Sequence, residues 1–304
     1  MLTGNQGKSV LLLLGAVLFW SGNNVVAKAI IVDVPPYSFT FLRWLIASLI
    51  MLPFTWSYVR RDWRTARQAW VRLTLIAVLG ISAFNTLLYM AVQTTTAVNV
   101  GLISSFFPAA IAMFSWVLLK IRLDRIQITG MAISFLGILL VISQGHLSTL
   151  TGMVFVEGDL LMFLGVICGA IYPVLLHKKP AIHPLSLLTI IILLGMVVSL
   201  PLYLLDLWQG HYVTVNGGVV SGLLYIAVFP SVLAYMLWNR GIELVGANRA
   251  GLYLNLIPIL TAIMAAVFLD ETLRWYHFAG LLLVISGMAL FNLKQLLTPA
   301  PAQP

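Results

Sequence analysis

The sequence predicts an all-α integral membrane protein, with ten transmembrane helices arranged as two inverted five-helix repeats around a central cavity. Three observations predict this fold: the composition, the spacing of the apolar blocks, and an internal repeat. Of the 304 residues, 61% are hydrophobic and 9% are charged, whereas soluble domains carry about 25% charged residues. So few charged residues cannot cover a soluble surface, and the composition therefore predicts a chain buried in lipid.

Ten apolar blocks follow one another along the chain, separated by short breaks that are charged or rich in proline and glycine. Each block approaches or exceeds the roughly 20 residues that cross a bilayer core. Helices are the expected form, because lipid offers no partner to unpaired backbone groups. The first block is too long for the apolar region of a cleaved signal peptide. The blocks lie near residues 9–32, 36–57, 70–92, 97–119, 126–144, 158–177, 184–206, 218–239, 248–269 and 275–294.

The basic residues predict the orientation of these helices. With a cytoplasmic N-terminus, fourteen of the 17 Lys and Arg residues fall in cytoplasmic segments, whereas Lys28 and Arg43 lie within spans and Arg274 lies outside. Cytoplasmic loops are enriched in Lys and Arg, so both termini are predicted to be cytoplasmic. The net charge of +8 then reflects topology, and nucleic acid is not an expected partner. The fourteen are Lys8, Arg60, Arg61, Arg64, Arg67, Arg72, Lys120, Arg122, Arg125, Lys178, Lys179, Arg240, Arg249 and Lys294.

The second half of the chain repeats the first, so that residues 1–149 and 150–304 are predicted to form two five-helix units of one transport unit. Each unit has an odd number of helices, and the two copies must therefore be inverted in the membrane. Inverted repeats are typical of secondary transporters, which bind substrate near the midplane. The matches are Pro36, Ser38 and Pro53 with Pro184, Ser186 and Pro201; Tyr89 with Tyr235; and Ala97, Gly101, Pro108, Leu123, Gly130 and Gly137 with Ala247, Gly251, Pro258, Leu273, Gly280 and Gly287.

The paired prolines Pro108 and Pro258 are predicted to lie in mid-span, where each removes a backbone hydrogen bond and can bend the helix. Two interpretations stay open: fixed kinks beside packing glycines, or hinges that move during alternating access.

Three stretches resemble the drug/metabolite transporter superfamily of the EamA type. They are Trp20-Ser21-Gly22-Asn23-Asn24, the segment from Pro36 to Arg43, and the segment from Gly246-Ala247 through Pro258 to Leu269-Asp270-Glu271-Thr272-Leu273. The likeness covers nearly the whole chain, twice, although Lys120-Ile121-Arg122 stands where first-half copies often carry an acid. Within the family, the chain is most similar to YddG-type exporters of aromatic and other amino acids. The resemblance implies export across a bacterial inner membrane, a cavity lined mainly by helices 1, 3, 4, 6, 8 and 9, and peripheral helices 5 and 10.

Polar and aromatic side chains within the spans are the candidate substrate-binding residues, because polar groups in lipid normally face protein or a water-filled path. Rings and amides together suit a small zwitterion with an apolar side chain. The alternative role for each residue is an interhelical hydrogen bond. Arg43 is either a structural charge satisfied by backbone carbonyls or an anion-binding group, whereas Trp44, Trp56, Trp63, Trp70 and Trp275 are expected to anchor span ends at the interface. The candidates are Trp20, Asn24, Asn85, Tyr89, Asn99, Tyr172, Tyr235, Trp238 and Asn255.

The expected function is therefore secondary transport that exports aromatic and other neutral amino acids by alternating access. The alternative keeps the fold and changes the cargo to drug-like cations or other small metabolites. An enzyme is not expected, because HExxH, Gly-x-Ser-x-Gly and phosphate-loop motifs are missing from the sequence. No cofactor or metal is expected, and the expected partners are the substrate and the lipid bilayer around a monomer. No acid falls in a predicted membrane core, so proton coupling through a carboxylate is not expected either.

Overall fold

A computed structural model describes residues 4–95, 100, 103–104, 106–146, 148, 156–268 and 273–293. These residues form helices and connecting turns, with no strand among them, which confirms the all-α prediction. The helices are α1 (Gly4–Ile30), α2 (Pro36–Gln68), α3 (residues 70–94), α4 (Phe107–Leu119), α5 (Arg125–Ile142), α6 (Glu157–Leu176), α7 (Pro184–Trp208), α8 (residues 217–245), α9 (residues 247–268) and α10 (Trp275–Phe291).

Six of these helices are long and apolar enough to cross a membrane, namely α1, α2, α3, α6, α7 and α8. The described parts of α4, α5 and α10 are shorter apolar helices, and α9 is interrupted by a 3₁₀ turn at Tyr253–Leu256. The chain therefore folds as a multi-pass membrane protein, and the count of ten crossings stays a prediction.

Helix α2 continues well beyond its apolar block, which was predicted to end near residue 57. The helix reaches Gln68, because the segment 58–68 that follows the block contains several arginines, which are good helix formers, and contains neither glycine nor proline. Hydropathy marks where a segment leaves lipid rather than where its helix ends, so the helix continues past the predicted apolar block.

Two π-helical segments interrupt α3 and α8 at corresponding positions. They are Val78–Ala83 in α3 and Ala227–Leu233 in α8, and their first residues are 149 positions apart. In α8 the cause is visible. Pro230 has no N–H to donate to the carbonyl of Ile226, and the Ser231 hydroxyl donates to that carbonyl instead, at 2.7 Å. Such bulges occur often at functional sites.

Helices α5 and α10 pack with their backbones in contact, through glycines that the repeat pairs. A methyl group added at Gly130 would lie 2.6 Å from the Gly287 carbonyl oxygen, and one added at Gly137 would lie 2.7 Å from the Gly280 oxygen. The contacts run in opposite chain directions, so the two helices are antiparallel. Only glycine permits an approach this close, as in other small-residue contacts between membrane helices.

Helices α2 and α7 form a second antiparallel pair, in which each helix accepts a cap from the other. The Asp206 carboxylate accepts hydrogen bonds from the backbone N–H and hydroxyl of Ser38, at 2.7 and 2.8 Å. At the opposite end, Asp62 accepts from the Ser186 hydroxyl at 2.6 Å and from a backbone N–H at 2.7 Å. Ser38 and Ser186 are repeat partners, and the start of each helix is capped by a carboxylate of the other helix.

The remaining helices pack across the two halves of the chain. Helix α1 lies mainly against α8 and α9, whereas α6 lies mainly against α3 and the described part of α4. Each group therefore combines one helix of one half with two helices of the other. Helices from residues 1–149 thus pack extensively against helices from residues 150–304, and the division into two repeat units stays a prediction.

Adding one methyl group at the α5–α10 contact should destabilise the protein. In Gly130→Ala the new Cβ meets backbone atoms of α10, which cannot move aside as a side chain can. We expect the free energy of unfolding to fall by about 1–3 kcal/mol, measured as a lower melting temperature in detergent. Gly217→Ala is the control, because the space around Gly217 is open; equal melting temperatures for the two variants would contradict the prediction.

Candidate aromatic and arginine site

Five aromatic side chains from four helices meet in the interior and form the aromatic cluster: Trp20 (α1), Trp44 (α2), Tyr172 (α6), and Tyr235 and Trp238 (α8). The Tyr235 ring lies at its centre, with ring centroids 5.6 Å from Trp20, 5.6 Å from Trp44 and 5.7 Å from Tyr172. Trp20 also contacts Trp238 at 5.2 Å. Edge-to-face pairs at these distances are favourable.

Four of these five residues were predicted from the sequence, and Trp44 was not. The sequence placed Trp44 among the interfacial anchors, but its side chain is fully buried, so that prediction was wrong. Trp56, Trp63, Trp70 and Trp275 are exposed, as anchors would be. No pattern in the sequence around Trp44 distinguishes this buried tryptophan from the four exposed ones.

The polar ends of the cluster bind backbone carbonyls in the two π-helical segments. The Trp20 Nε1 donates to the Pro230 carbonyl at 3.0 Å, and the Tyr235 hydroxyl donates to the Gly80 carbonyl at 2.9 Å. Irregular helix leaves such carbonyls open to side chains, and each bond joins one half of the chain to the other. The Tyr172 hydroxyl donates to Asn239 Oδ1 at 2.8 Å.

Arg43 is buried beside this cluster. Its acceptors are side chains, so the hydrogen bonds do not support the one of its two interpretations in which backbone carbonyls satisfy the charge. Its Nε donates to Ser231 Oγ at 2.8 Å. Its Nη1 donates to Asn85 Oδ1 and to the Tyr89 hydroxyl, each at 2.9 Å. The guanidinium of Arg43 is thus surrounded by two predicted site residues of α3 and by Ser231 of α8.

Asn24 differs from the other candidates because its side chain is exposed. Its Nδ2 donates to Thr261 Oγ1 of α9 at 3.3 Å. The exposed leucines of α1 are Leu11, Leu14 and Leu18, and Asn24 points about 110° around the helix from the middle of that stripe. Its exposure therefore lies on the face that turns towards α9, one helical turn beyond Trp20.

Asn255 lies in the 3₁₀ turn of α9 and is buried, and its Oδ1 has no hydrogen-bond partner among the described residues. Pro258 is the second residue of the α-helix that resumes after this turn, and Pro108 is the second residue of α4. Proline is well tolerated at the start of a helical segment, and the hinge role of both prolines stays a prediction. Asn99 lies outside the described residues.

Helices α4, α6 and α9 are packed together near Gly251, which precedes the 3₁₀ turn of α9, whereas Thr261 follows that turn. Ile111 of α4 is buried with Ala170 and Val174 of α6. A methyl group added at Gly251 of α9 would lie 2.7 Å from Cδ1 of Ile111. Helices α4, α6 and α9 are thus closed against one another near Gly251, whereas Asn24, which contacts the later part of α9, is exposed.

A groove of about 590 Å³ lies away from the cluster, between the end of α2, the start of α3 and the end of α6. Its lining includes Gln68, Arg72, Leu75 and Leu175, and none of the predicted site residues. This groove is therefore not the predicted substrate cavity, which would lie at the aromatic cluster. In this structure the rings of the cluster contact one another.

Comparison with known proteins gives consistent matches along the whole chain. The EamA-like transporter family matches residues 7–143 and again residues 156–293. The chain is 30% identical to the uncharacterized transporter YyaM of Bacillus subtilis strain 168, over 91% of each chain. It is 27% identical to an uncharacterized transporter of Archaeoglobus fulgidus, over 95% of this chain and 99% of the relative. A crystal structure with 18% identity covers 96% of the chain with a TM-score of 0.77, and this likeness concerns the fold alone.

The central position of Tyr235 predicts different effects for two substitutions. Tyr235→Phe keeps the ring contacts and loses the hydrogen bond to Gly80, which should cost about 1 kcal/mol. Tyr235→Ala also removes the ring from the middle of the cluster, which should cost about 3–5 kcal/mol. Thermal unfolding in detergent measures both. Similar melting temperatures for the two variants would show that the ring is not packed as described.

Proposed function

Because the chain belongs to the EamA-like transporter family, we propose that it exports amino acids, both aromatic and other neutral ones, by alternating access. Family membership makes it a multi-pass membrane transporter rather than an enzyme. The substrate, the direction and the mechanism are the proposal. The observation that carries it is the aromatic cluster, built from both halves of the chain beside a buried arginine and several unpaired polar groups.

Three buried polar atoms, one each on α1, α2 and α9, have the hydrogen-bonding chemistry that the two charged ends of an amino acid require. The buried Oδ1 atoms of Asn23 and Asn255 have no partner among the described residues, and both are acceptors suited to an ammonium group. The Trp44 Nε1, in the aromatic cluster, is a buried donor without a partner among the described residues, and a donor suits a carboxylate. An unpaired buried polar group costs about 1–3 kcal/mol, so a ligand that pairs them gains affinity. The rings would then hold the side chain of the substrate.

Alternating access is supported by the way equivalent residues pair. Thr55 and Thr189 share a hydrogen bond at 2.9 Å, and Phe41 stacks on Tyr203 at 4.6 Å. The two pairs are related by the repeat, because adding the offset of 148 residues to Thr55 gives Tyr203 and subtracting it from Thr189 gives Phe41. Such reciprocal contacts between antiparallel helices are what two inverted repeats, residues 1–149 and 150–304, would produce. The repeats would exchange roles when the closed side opens.

The orientation follows from the basic residues, and we place both termini in the cytoplasm of a bacterial cell with the protein in the inner membrane. Arg60, Arg61, Arg64 and Arg67 are exposed or half-exposed on the extension of α2, as expected of a cytoplasmic helix end near anionic lipid. The exposed side at Asn24 then faces outwards. A monomer is sufficient, because each half of the chain already packs against the other.

The alternative cargo is a drug-like cation or another small metabolite. The aromatic cluster favours it in one respect, because ring faces attract cations. Arg43 argues against it, since a buried positive charge repels a cationic ligand.

The proposal predicts saturable exchange of amino acids in proteoliposomes. Vesicles preloaded with unlabelled phenylalanine should accumulate labelled phenylalanine, and vesicles preloaded with threonine should accumulate labelled threonine. In Trp20→Ala, the half-saturating concentration of phenylalanine should rise about two- to tenfold, because a lost aromatic contact costs about 0.5–1.5 kcal/mol. Threonine exchange should change less, since threonine has no ring.

The matched control is Trp56→Ala, which removes an exposed tryptophan outside the cluster and should leave both exchanges unchanged. Equal effects of Trp20→Ala on phenylalanine and threonine would contradict ring recognition. A folded wild-type protein that exchanges cationic dyes, but neither amino acid, would make the alternative cargo correct.

A further inference from the structure

Arg43 is a cation in the interior of a membrane protein, with 2% of its surface exposed. Every acceptor that it contacts is neutral: a serine hydroxyl, an amide oxygen and a tyrosine hydroxyl, contributed by Ser231, Asn85 and Tyr89. In the described part of the chain, no carboxylate forms an ion pair with it, and its Nη2 makes no hydrogen bond. Burying an ion without a counter-ion is costly even when neutral groups solvate it.

The fold itself does not require a cation at this place. The repeat offset of 148 residues that pairs Pro36 with Pro184 also pairs Arg43 with Ile191. Ile191 is fully buried in α7, so the same helix position in the other half is filled by an apolar side chain. An arginine present in one copy only is therefore better explained by a ligand than by packing.

Arg43 is connected to the aromatic cluster through adjacent residues of α8. Trp20 binds the carbonyl of Pro230, and Arg43 binds the hydroxyl of the next residue, Ser231. The guanidinium carbon also lies 4.6 Å from the centroid of the Trp44 ring, which in turn contacts Tyr235. One small molecule could thus reach the cation with one end and the rings with the other.

We propose that Arg43 recognises the carboxylate of the transported molecule, and that the transporter therefore selects organic anions and zwitterions and rejects amines without a carboxylate. This inference rests on the proposed function and names its selective residue. The free Nη2 and the unpaired Trp44 Nε1 are the donors left for the ligand. Guanidinium suits this role because its planar array of N–H groups matches a carboxylate. Asn85, Tyr89 and Ser231 orient the side chain.

The test is competition for phenylalanine counterflow in proteoliposomes that contain the wild-type protein. The competitors are 3-phenylpropionate, which has the carboxylate without the amine, and phenylethylamine, which has the amine without the carboxylate. We expect 3-phenylpropionate to inhibit at concentrations at least tenfold lower than phenylethylamine. Equal inhibition by the two compounds would overturn the proposal without the use of any variant.

Substitutions then assign the selectivity to the residue. Arg43→Gln should raise the half-saturating concentration of phenylalanine at least tenfold and abolish the preference for 3-phenylpropionate over phenylethylamine. Arg43→Lys keeps the charge and should keep the preference in weaker form. Arg61→Gln, at an exposed arginine of the same helix, should change nothing. Unaltered preference in Arg43→Gln would overturn the proposal.

Binding separates this inference from the proposed function. If the wild-type protein exchanges no amino acid, but 3-phenylpropionate raises its melting temperature in an Arg43-dependent way, then Arg43 is an anion site and the amino-acid proposal fails. If phenylalanine and phenylethylamine exchange equally well, the amino-acid proposal stands and the role of Arg43 is refuted.

Discussion

The antiparallel pairing of equivalent helices, α2 with α7 and α5 with α10, is the constraint on which the rest of the structure depends. In lipid, apolar surface alone gives helices little reason to associate, and close packing and internal hydrogen bonds supply the cohesion. The glycines of α5 and α10 allow backbone contact, and Asp62 and Asp206 cap the helices at opposite ends of the other pair. These contacts fix the two halves against each other, so α1 and α6 are left to pack across the halves.

This crossing explains why the candidate site draws on both halves of the chain. Trp20 from the first half binds the carbonyl of Pro230 in the second, and Tyr235 from the second half binds the carbonyl of Gly80 in the first. Both acceptors lie in π-helical segments, where a regular α-helix is interrupted. The interruptions are therefore part of the site, because they turn backbone groups towards side chains of the opposite half.

Much of this arrangement could be predicted from the sequence, and the parts that could not share a physical reason. Hydropathy places the helices, and the spacing of polar and aromatic residues identifies Trp20, Tyr172 and Tyr235, since both depend on local periodicity. Trp44 and the partners of Arg43 were missed because they depend on how α2 rotates against α3 and α8, which no local pattern encodes. The π-helical segments were not predicted for a similar reason. Pro230 is the one residue in either segment that could have indicated an interrupted helix.

The two halves share a backbone plan, but their chemistry differs where a ligand would bind. In the proposed alternating access, two symmetric repeats would supply the helices that close and open in exchange. Symmetry cannot by itself choose a cargo, because symmetric positions offer the same groups twice. Choice requires departures from the repeat, and one of them is Arg43 opposite Ile191, a charge in one half and a buried hydrocarbon in the other. The proposed movement therefore rests on the repeat, whereas the proposed selection rests on Arg43, which has no carboxylate partner among the described residues.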